Sequence, residues 1–282
     1  MSGVYASNNT AVITGAASGI GLAIAQKCIG YGMRVLIADL DQKKLDDVQA
    51  MLGTEKASVI RLDVGKFEDW TAVKQKIEFD FGGQLNLLVL NAGMQVPTSF
   101  ADADPTGFQK TLATNFFGIV NGITALLPLV QRTSAKQAAA VVITGSKQGI
   151  TNPPGNPAYN ASKSAVKALA EHLSFDLATS HPKIGVHFLV PGWTWTPMAG
   201  AGPDGKKEKP AAAWATGQVA DYLVEKMAGG QFWILCPDND VTEAMDRRRM
   251  LWTADDAILG RAPLSRWRGE YKDEFQAWME KE

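Results

Sequence analysis

Ala11-Val12-Ile13-Thr14-Gly15-Ala16-Ala17-Ser18-Gly19-Ile20-Gly21-Leu22-Ala23-Ile24 is the stretch that decides the fold. Residues 11–14 read as a short buried strand. Ile20, Ala23, Ile24 and Cys28 then recur at helical spacing over about 19–31. The turn between them carries Gly15, Gly19 and Gly21. Glycines there let backbone N–H groups approach a pyrophosphate at the helix N-terminus. The spacing is TGxxxGIG, not GxGxxG, so the strand before it and the helix after it supply most of its weight.

Working outward, the same alternation repeats. Further strands are expected at 33–38, 58–62, 85–90, 139–144, 185–190 and 232–235. Helices are expected at 42–52, 67–81, 105–130 (one long helix) and 157–180. Strands and helices that alternate in this way form a parallel sheet covered on both faces, with right-handed crossovers. The expected fold is α/β: a doubly wound, parallel, seven-stranded, Rossmann-like sheet flanked by helices. It occupies 1–237, and 238–282 form a C-terminal extension. Residues 197–210, rich in Gly, Pro and Lys, lie just past a strand end, where a substrate lid over 197–216 or a solvated loop would sit.

Composition narrows the function. Of 282 residues 46% are hydrophobic and 20% charged, enough for a core without disulfides or metals. The net charge of -1 points away from nucleic acid and anionic membranes and towards a small-molecule partner. Cys28 and Cys236 are isolated, and His172, His181 and His187 fall in no metal-ligand spacing, so no metal is expected. Met1 to Thr10 lacks the basic and apolar regions of a signal peptide, and no apolar run looks long enough to span a bilayer. A cytoplasmic protein is expected.

Asp39 ends the second strand, where a carboxylate can accept hydrogen bonds from an adenosine ribose and repel a 2′-phosphate. Leu40 follows it, and no Arg or Lys stands in the Gly-rich turn, so NAD is expected over NADP. Tyr159 and Lys163 are four apart on a predicted helix and share a face. Ser146 precedes Tyr159 by thirteen residues (159 − 146) at the end of the fifth strand, the edge where open α/β sheets bind ligands.

With these residues in place the chain resembles the short-chain dehydrogenases/reductases, in the single-domain subgroup. The match runs over about residues 8–236: TGxxxGIG at 14–21, Asp39, Asp63-Val64, Asn91-Ala92-Gly93, Asn115, Ser146, Tyr159, Lys163 and Pro191-Gly192, all in family order. The resemblance implies interconversion of a secondary alcohol and a ketone by hydride transfer. Tyr159 would be the acid or base, Lys163 would lower its pKa and bond the nicotinamide ribose, and Ser146 would hold the substrate oxygen. Asn115 would anchor a water in a proton relay. Gly15, Ser18, Gly19, Ile20, Gly21, Asp39, Leu40, Asp63, Val64 and residues 91–93 would hold the dinucleotide. Pro191, Gly192, Thr194 and Thr196 would fix its carboxamide. A homodimer or homotetramer is implied too.

The chain departs from the family in two places. Leu90 stands where the family has the first Asn of NNAG, which removes a hydrogen bond expected in the central sheet. Past the last strand the chain reads Pro237-Asp238-Asn239 and continues with Trp252, Trp267, Trp278 and an Arg247-Arg248-Arg249 run. The tryptophans are expected to pack the extension onto the domain, cover the cleft or build a subunit contact, and the Arg run to form a solvated or salt-bridged helix face. Gln95, Ser146, Gln148, Trp193 and Met198 are expected around the substrate, which favours an apolar or aromatic one. The alternatives are an NADP-linked carbonyl or imine reductase and a non-redox dinucleotide-binding module on the same fold.

Overall fold

The computed structural model describes residues 3–102, 104–202 and 207–280. Its strands are β1 (Thr10–Thr14), β2 (Arg34–Asp39), β3 (Ala57–Arg61), β4 (Leu87–Leu90), β5 (Ala139–Thr144), β6 (Ile184–Val190) and β7 (Trp233–Leu235). They form one sheet in the order β3-β2-β1-β4-β5-β6-β7, every pair parallel. The helices are α1 (Gly19–Gly30), α2 (Gln42–Leu52), α3 (Asp69–Phe81), α4 (Thr106–Leu112) and α5 (Gly118–Ser134). They continue as α6 (Gln148–Thr151), α7 (Pro157–Ser180), α8 (Thr216–Ala228), α9 (Glu243–Ile258) and α10 (Lys272–Glu280).

Period-two alternation along the strands divides the core into two layers. Val12, Leu36, Leu88 and Val141 face α3, α5 and α7, where they meet Val73, Ile77, Leu126 and Val166. Their neighbours Ile13, Val35, Val89 and Val142 face α1, α2 and α8, against Ile24, Leu45, Val48 and Leu223. A sheet buried on both sides accounts for the nearly uninterrupted apolar strands.

The long helix expected over 105–130 is not continuous. A π-helical turn, Ala113–Phe117, separates α4 from α5, and α5 runs on to Ser134. The turn sits where the buried Asn115 amide reaches across to the backbone of Met94, a tertiary contact that helix propensity does not register. The membrane expectation also needs correction. The run 106–134 is long and apolar enough by composition to cross a bilayer. Its hydropathy comes from residues that cover the sheet, among them Ile119, Leu126, Leu129 and Val130, all buried.

The extension folds back on the domain. α9 packs against α6, and Met250 reaches the core beneath it. Trp252 anchors the rest: its indole Nε1 donates to Ser265 Oγ at 2.8 Å, and the Arg261 guanidinium stacks 3.7 Å above its ring. Phe275 and Trp278 of α10 complete the cluster. Arg247 pairs with Glu243 and Arg249 with Asp246, whereas Arg248 stacks on Trp278, so the Arg run is a salt-bridged face with one inward member. Ser265→Ala strands Trp252 Nε1 and one bond of the buried Asp256, a cost of about 1–3 kcal/mol. Urea unfolding measures it, and a midpoint equal to the parent's would show that the serine is not the pin.

Candidate active site

A cleft of about 750 Å³ opens at the C-terminal ends of the strands, across the point where sheet order reverses between β1 and β4. Its size is that of a cavity that encloses a small organic molecule.

One end is built from the Gly-rich turn. Gly15 has φ +62°, and a Cβ there would sit 2.8 Å from the α-carbon of Ala92, so the β1 and β4 loops approach as only glycine allows. Ser18 caps α1 without a side-chain hydrogen bond, which leaves the first-turn N–H groups of that helix free for a ligand. Asp39 faces the same end with both oxygens engaged: Oδ2 accepts from Ala17 N–H (3.0 Å) and Oδ1 from Asp41 N–H (3.1 Å). Leu40, Asp63 and Val64 line the wall beside it. Asp63 also accepts from Gly65 N–H, a local turn bond.

Three strand ends are laced together beneath the cleft. Thr14 Oγ1 accepts from the N–H groups of Asn91 and Ala92, each at 3.0 Å. Asn91 donates to Thr14 O (3.0 Å) and accepts from Thr144 Oγ1 (3.2 Å). Asn91 therefore bridges β1, β4 and β5, while the unusual Leu90 is simply buried.

At the other end Ser146, Tyr159 and Lys163 come together with Gly93 on the cleft wall. The Asn156 side chain caps α7 at Tyr159 N–H, and one turn later Lys163 projects onto the same face. Tyr159 lines the wall with Ser146, and Lys163 Nζ lies 5.9 Å from the phenol ring centroid. Burial raises the Tyr159 pKa above its usual value, partly offset by the neighbouring Ser146 hydroxyl. In the ligand-free protein burial therefore outweighs Lys163; the lowering is expected from Lys163 and the positive nicotinamide ring together. Lys163 Nζ instead donates to Thr144 O (2.9 Å), and burial lowers its own pKa to about 8.

Asn115 and Gly21, both expected at the site, lie behind its surface. Asn115 accepts from Met94 N–H (2.8 Å) and donates to Met94 O (3.0 Å) and Ser162 Oγ (2.9 Å). Gly21 is buried under the turn against Gly15 and Asn91. Gly19, Ile20, Pro191, Gly192, Thr194, Thr196, Gln95, Gln148, Trp193 and Met198 all reach the cleft. Trp193 and Met198 are about half exposed at its mouth. The segment expected as a lid is pinned by Thr194 pairing with Trp214, through Trp195 N–H to Trp214 O and Trp214 N–H to Trp193 O, each 2.8 Å. Its residues 203–206 lie outside the described residues. Among the described residues none beyond Ala199 lines the cleft, so the extension stands behind the site and does not cover it.

The short chain dehydrogenase family model matches residues 9–207. The chain belongs to the short-chain dehydrogenase family. Among its relatives this short-chain dehydrogenase is 30% identical over 192 residues to the NADP-dependent (R)-specific alcohol dehydrogenase of Lentilactobacillus kefiri, covering 67% of this chain and 74% of that one. It is also 30% identical over 193 residues to the 3-beta-hydroxysteroid dehydrogenase of Comamonas testosteroni, covering 67% and 72%. A short chain dehydrogenase/reductase from Burkholderia phymatum, solved in complex with NAD, superposes with a TM-score of 0.80 at 26% identity over 91% of this chain and 96% of that one.

Sequence reasoning missed several cleft residues, notably Met94, Thr144 and Lys147. Met94 and Lys147 each adjoin a residue that was singled out and Thr144 ends the fifth strand, so adjacency to a strand end was the available signal. For Lys147 no sequence signal pairs it with its partners, which are far along the chain.

Proposed function

We propose that this short-chain dehydrogenase uses NAD(H) to interconvert a secondary alcohol and a ketone, on an apolar or aromatic small molecule. The observation that carries this reading is the convergence of Ser146, Tyr159 and Lys163 on one wall of a cleft whose far end is the Gly-rich turn. The residues suit a dinucleotide: free helix N–H groups for a pyrophosphate, an acceptor carboxylate at Asp39 for a ribose diol, and a buried ammonium at Lys163 for a second ribose. When bound, the nicotinamide ring supplies or accepts the hydride.

This chain's own residues manage the proton. In reduction Tyr159 donates its phenolic proton to the substrate oxygen as the hydride arrives at carbon, and in oxidation it takes that proton back. Ser146 donates a hydrogen bond to the same oxygen and stabilises the charge that develops there. The Lys163 cation favours the phenolate left behind. Trp193 and Met198 offer apolar surface at the mouth to a bulky substrate.

Asp39 is the reason to favour NAD. Its carboxylate lines the cleft at the end of the second strand, where it would repel a 2′-phosphate, and like charge there disfavours NADP. The relative from Lentilactobacillus is NADP-dependent by name, which makes the cofactor the sharpest test. Absorbance of the reduced nicotinamide across a panel of bulky alcohols and ketones is expected to show turnover with NAD(H) and little with NADP(H). Asp39→Ser is expected to raise kcat/KM for NADP roughly ten- to a hundred-fold. Equal use of both cofactors by the parent would overturn the NAD assignment, and dinucleotide binding without turnover would support the binding module.

A further inference from the structure

Lys147 follows Ser146 directly, so its main chain is also the main chain that aims the serine hydroxyl. Its backbone N–H donates to Pro191 O (3.3 Å), and its carbonyl accepts from the N–H and hydroxyl of Thr151, closing α6. The side chain turns back from the cleft wall into the extension. Nζ lies 2.8 Å from Asp246 Oδ2 and 3.2 Å from Asp238 Oδ2. Asp246 is fully buried in the first turn of α9, where Arg249 also meets it at 3.4 Å. Asp238 Oδ2 accepts in addition from Trp193 N–H at 3.2 Å. One carboxylate oxygen thus joins the residue after Ser146 to the loop that follows β6.

The arrangement leaves no room for a side chain between the two loops. A Cβ on Gly192 would stand 2.8 Å from both Asp238 Oδ2 and Lys147 Nζ. Stability alone does not account for such a cluster, because buried ion pairs can be replaced by apolar residues at little or no cost. What the cluster supplies is a fixed spacing between two loops that face each other across the reacting end of the cleft.

The geometry points to Lys147 as a positioning residue: clasped by Asp238 and Asp246, it holds Ser146 at a set distance from the loop 191–193. This rests on the hydride-transfer reading above. In that reading Ser146 places the substrate oxygen and the loop 191–193 places the nicotinamide, so the clasp sets the gap between donor and acceptor carbons. The extension acts on the chemistry from behind, without touching substrate.

The test is Lys147→Met, with Lys147→Met/Asp238→Asn as a second variant that leaves Asp246 paired with Arg249 should the first fold poorly. Both are expected to lower kcat about 30- to 100-fold, the scale of a 1 Å misplacement. KM and NADH affinity are expected to stay within threefold, and the kinetic isotope effect with 4-deuterated NADH to rise. Two results would overturn the proposal: kcat within threefold of the parent, or kcat and NADH affinity falling together in step with the melting temperature. If the parent itself reduces no carbonyl, the function reading is what has failed. The clasp is then judged by the fluorescence of bound NADH, which is expected to shift in the variants and overturns the proposal if unchanged.

Discussion

Tyr159→Phe is expected to lower kcat about 10²- to 10⁴-fold in both directions while NADH still binds within a few-fold of the parent. That range is what a positioned proton donor contributes. The hydroxyl is the only part removed; the ring stays packed in α7, and the Asn156 cap at its backbone is untouched. Steady-state rates and fluorescence titration of NADH check the two halves separately. Burial keeps the proton on Tyr159 in the ligand-free protein, so alcohol oxidation, which needs the phenolate, is expected to speed up as pH rises. Ketone reduction, which needs the phenol, is expected to slow. A variant that keeps a tenth of the parent's rate would remove Tyr159 from the proton's path.

Lys163→Met separates catalysis from stability. The ammonium is buried, and its pKa stands at about 8 against an ordinary 10.5. A depression of that size corresponds to about 3 kcal/mol of preference for the uncharged form in the native state. Methionine fills similar space without a charge to desolvate and forgoes one hydrogen bond to Thr144 O. The ligand-free variant is therefore expected to be more stable by about 1–3 kcal/mol at neutral pH, yet slower in turnover by about 10²–10³-fold.

The pH dependence of that gain has a fixed sign. Below pH 8 the lysine is protonated in both folded and unfolded parent, and the cost of burying charge is fully present. Between pH 8 and 10.5 the folded state gives up its proton first, so the unfolded state binds more protons and parent stability rises with pH. The gap to the variant is thus expected to close across that window. Tyr159, raised by burial, makes the folded parent less stable above about pH 10, but it is common to both proteins and cancels. Urea midpoints at pH 7 and pH 10 measure the difference. A parent more stable than the variant at pH 7 would mean that the hydrogen bond to Thr144 outweighs the desolvation.

The central strands were legible because they are apolar runs buried on both faces, a requirement written into local composition, whereas β3 at the sheet edge is mostly half-buried. Tyr159 and Lys163 were legible because a four-residue step on a helix is a statement about direction. The break at Ala113–Phe117 was not, since it depends on Asn115 meeting Met94 across a loop. Nor was the direction of the Tyr159 pKa: Lys163 is near in sequence, but its ammonium turns to Thr144, and only the folded packing decides that burial prevails. The role of Asn91 was half visible, as a cleft residue whose lacing of three strands needed coordinates. The clasp on Lys147 was invisible, because two acidic residues among 29 carry no mark of their partner.

That clasp joins residues far apart in the order of synthesis. Asp238 lies 91 positions after Lys147. A chain emerging from the ribosome completes the Gly-rich turn, β1 to β6 and the Tyr159 helix before either carboxylate exists. The nascent domain can thus assemble its dinucleotide end first, with Lys147 still exposed to water. The loop that aims Ser146 acquires its final restraint only when α9 docks, among the last steps of maturation. On the hydride-transfer reading, competence to hold a cofactor and competence to react would be reached at different moments in its birth.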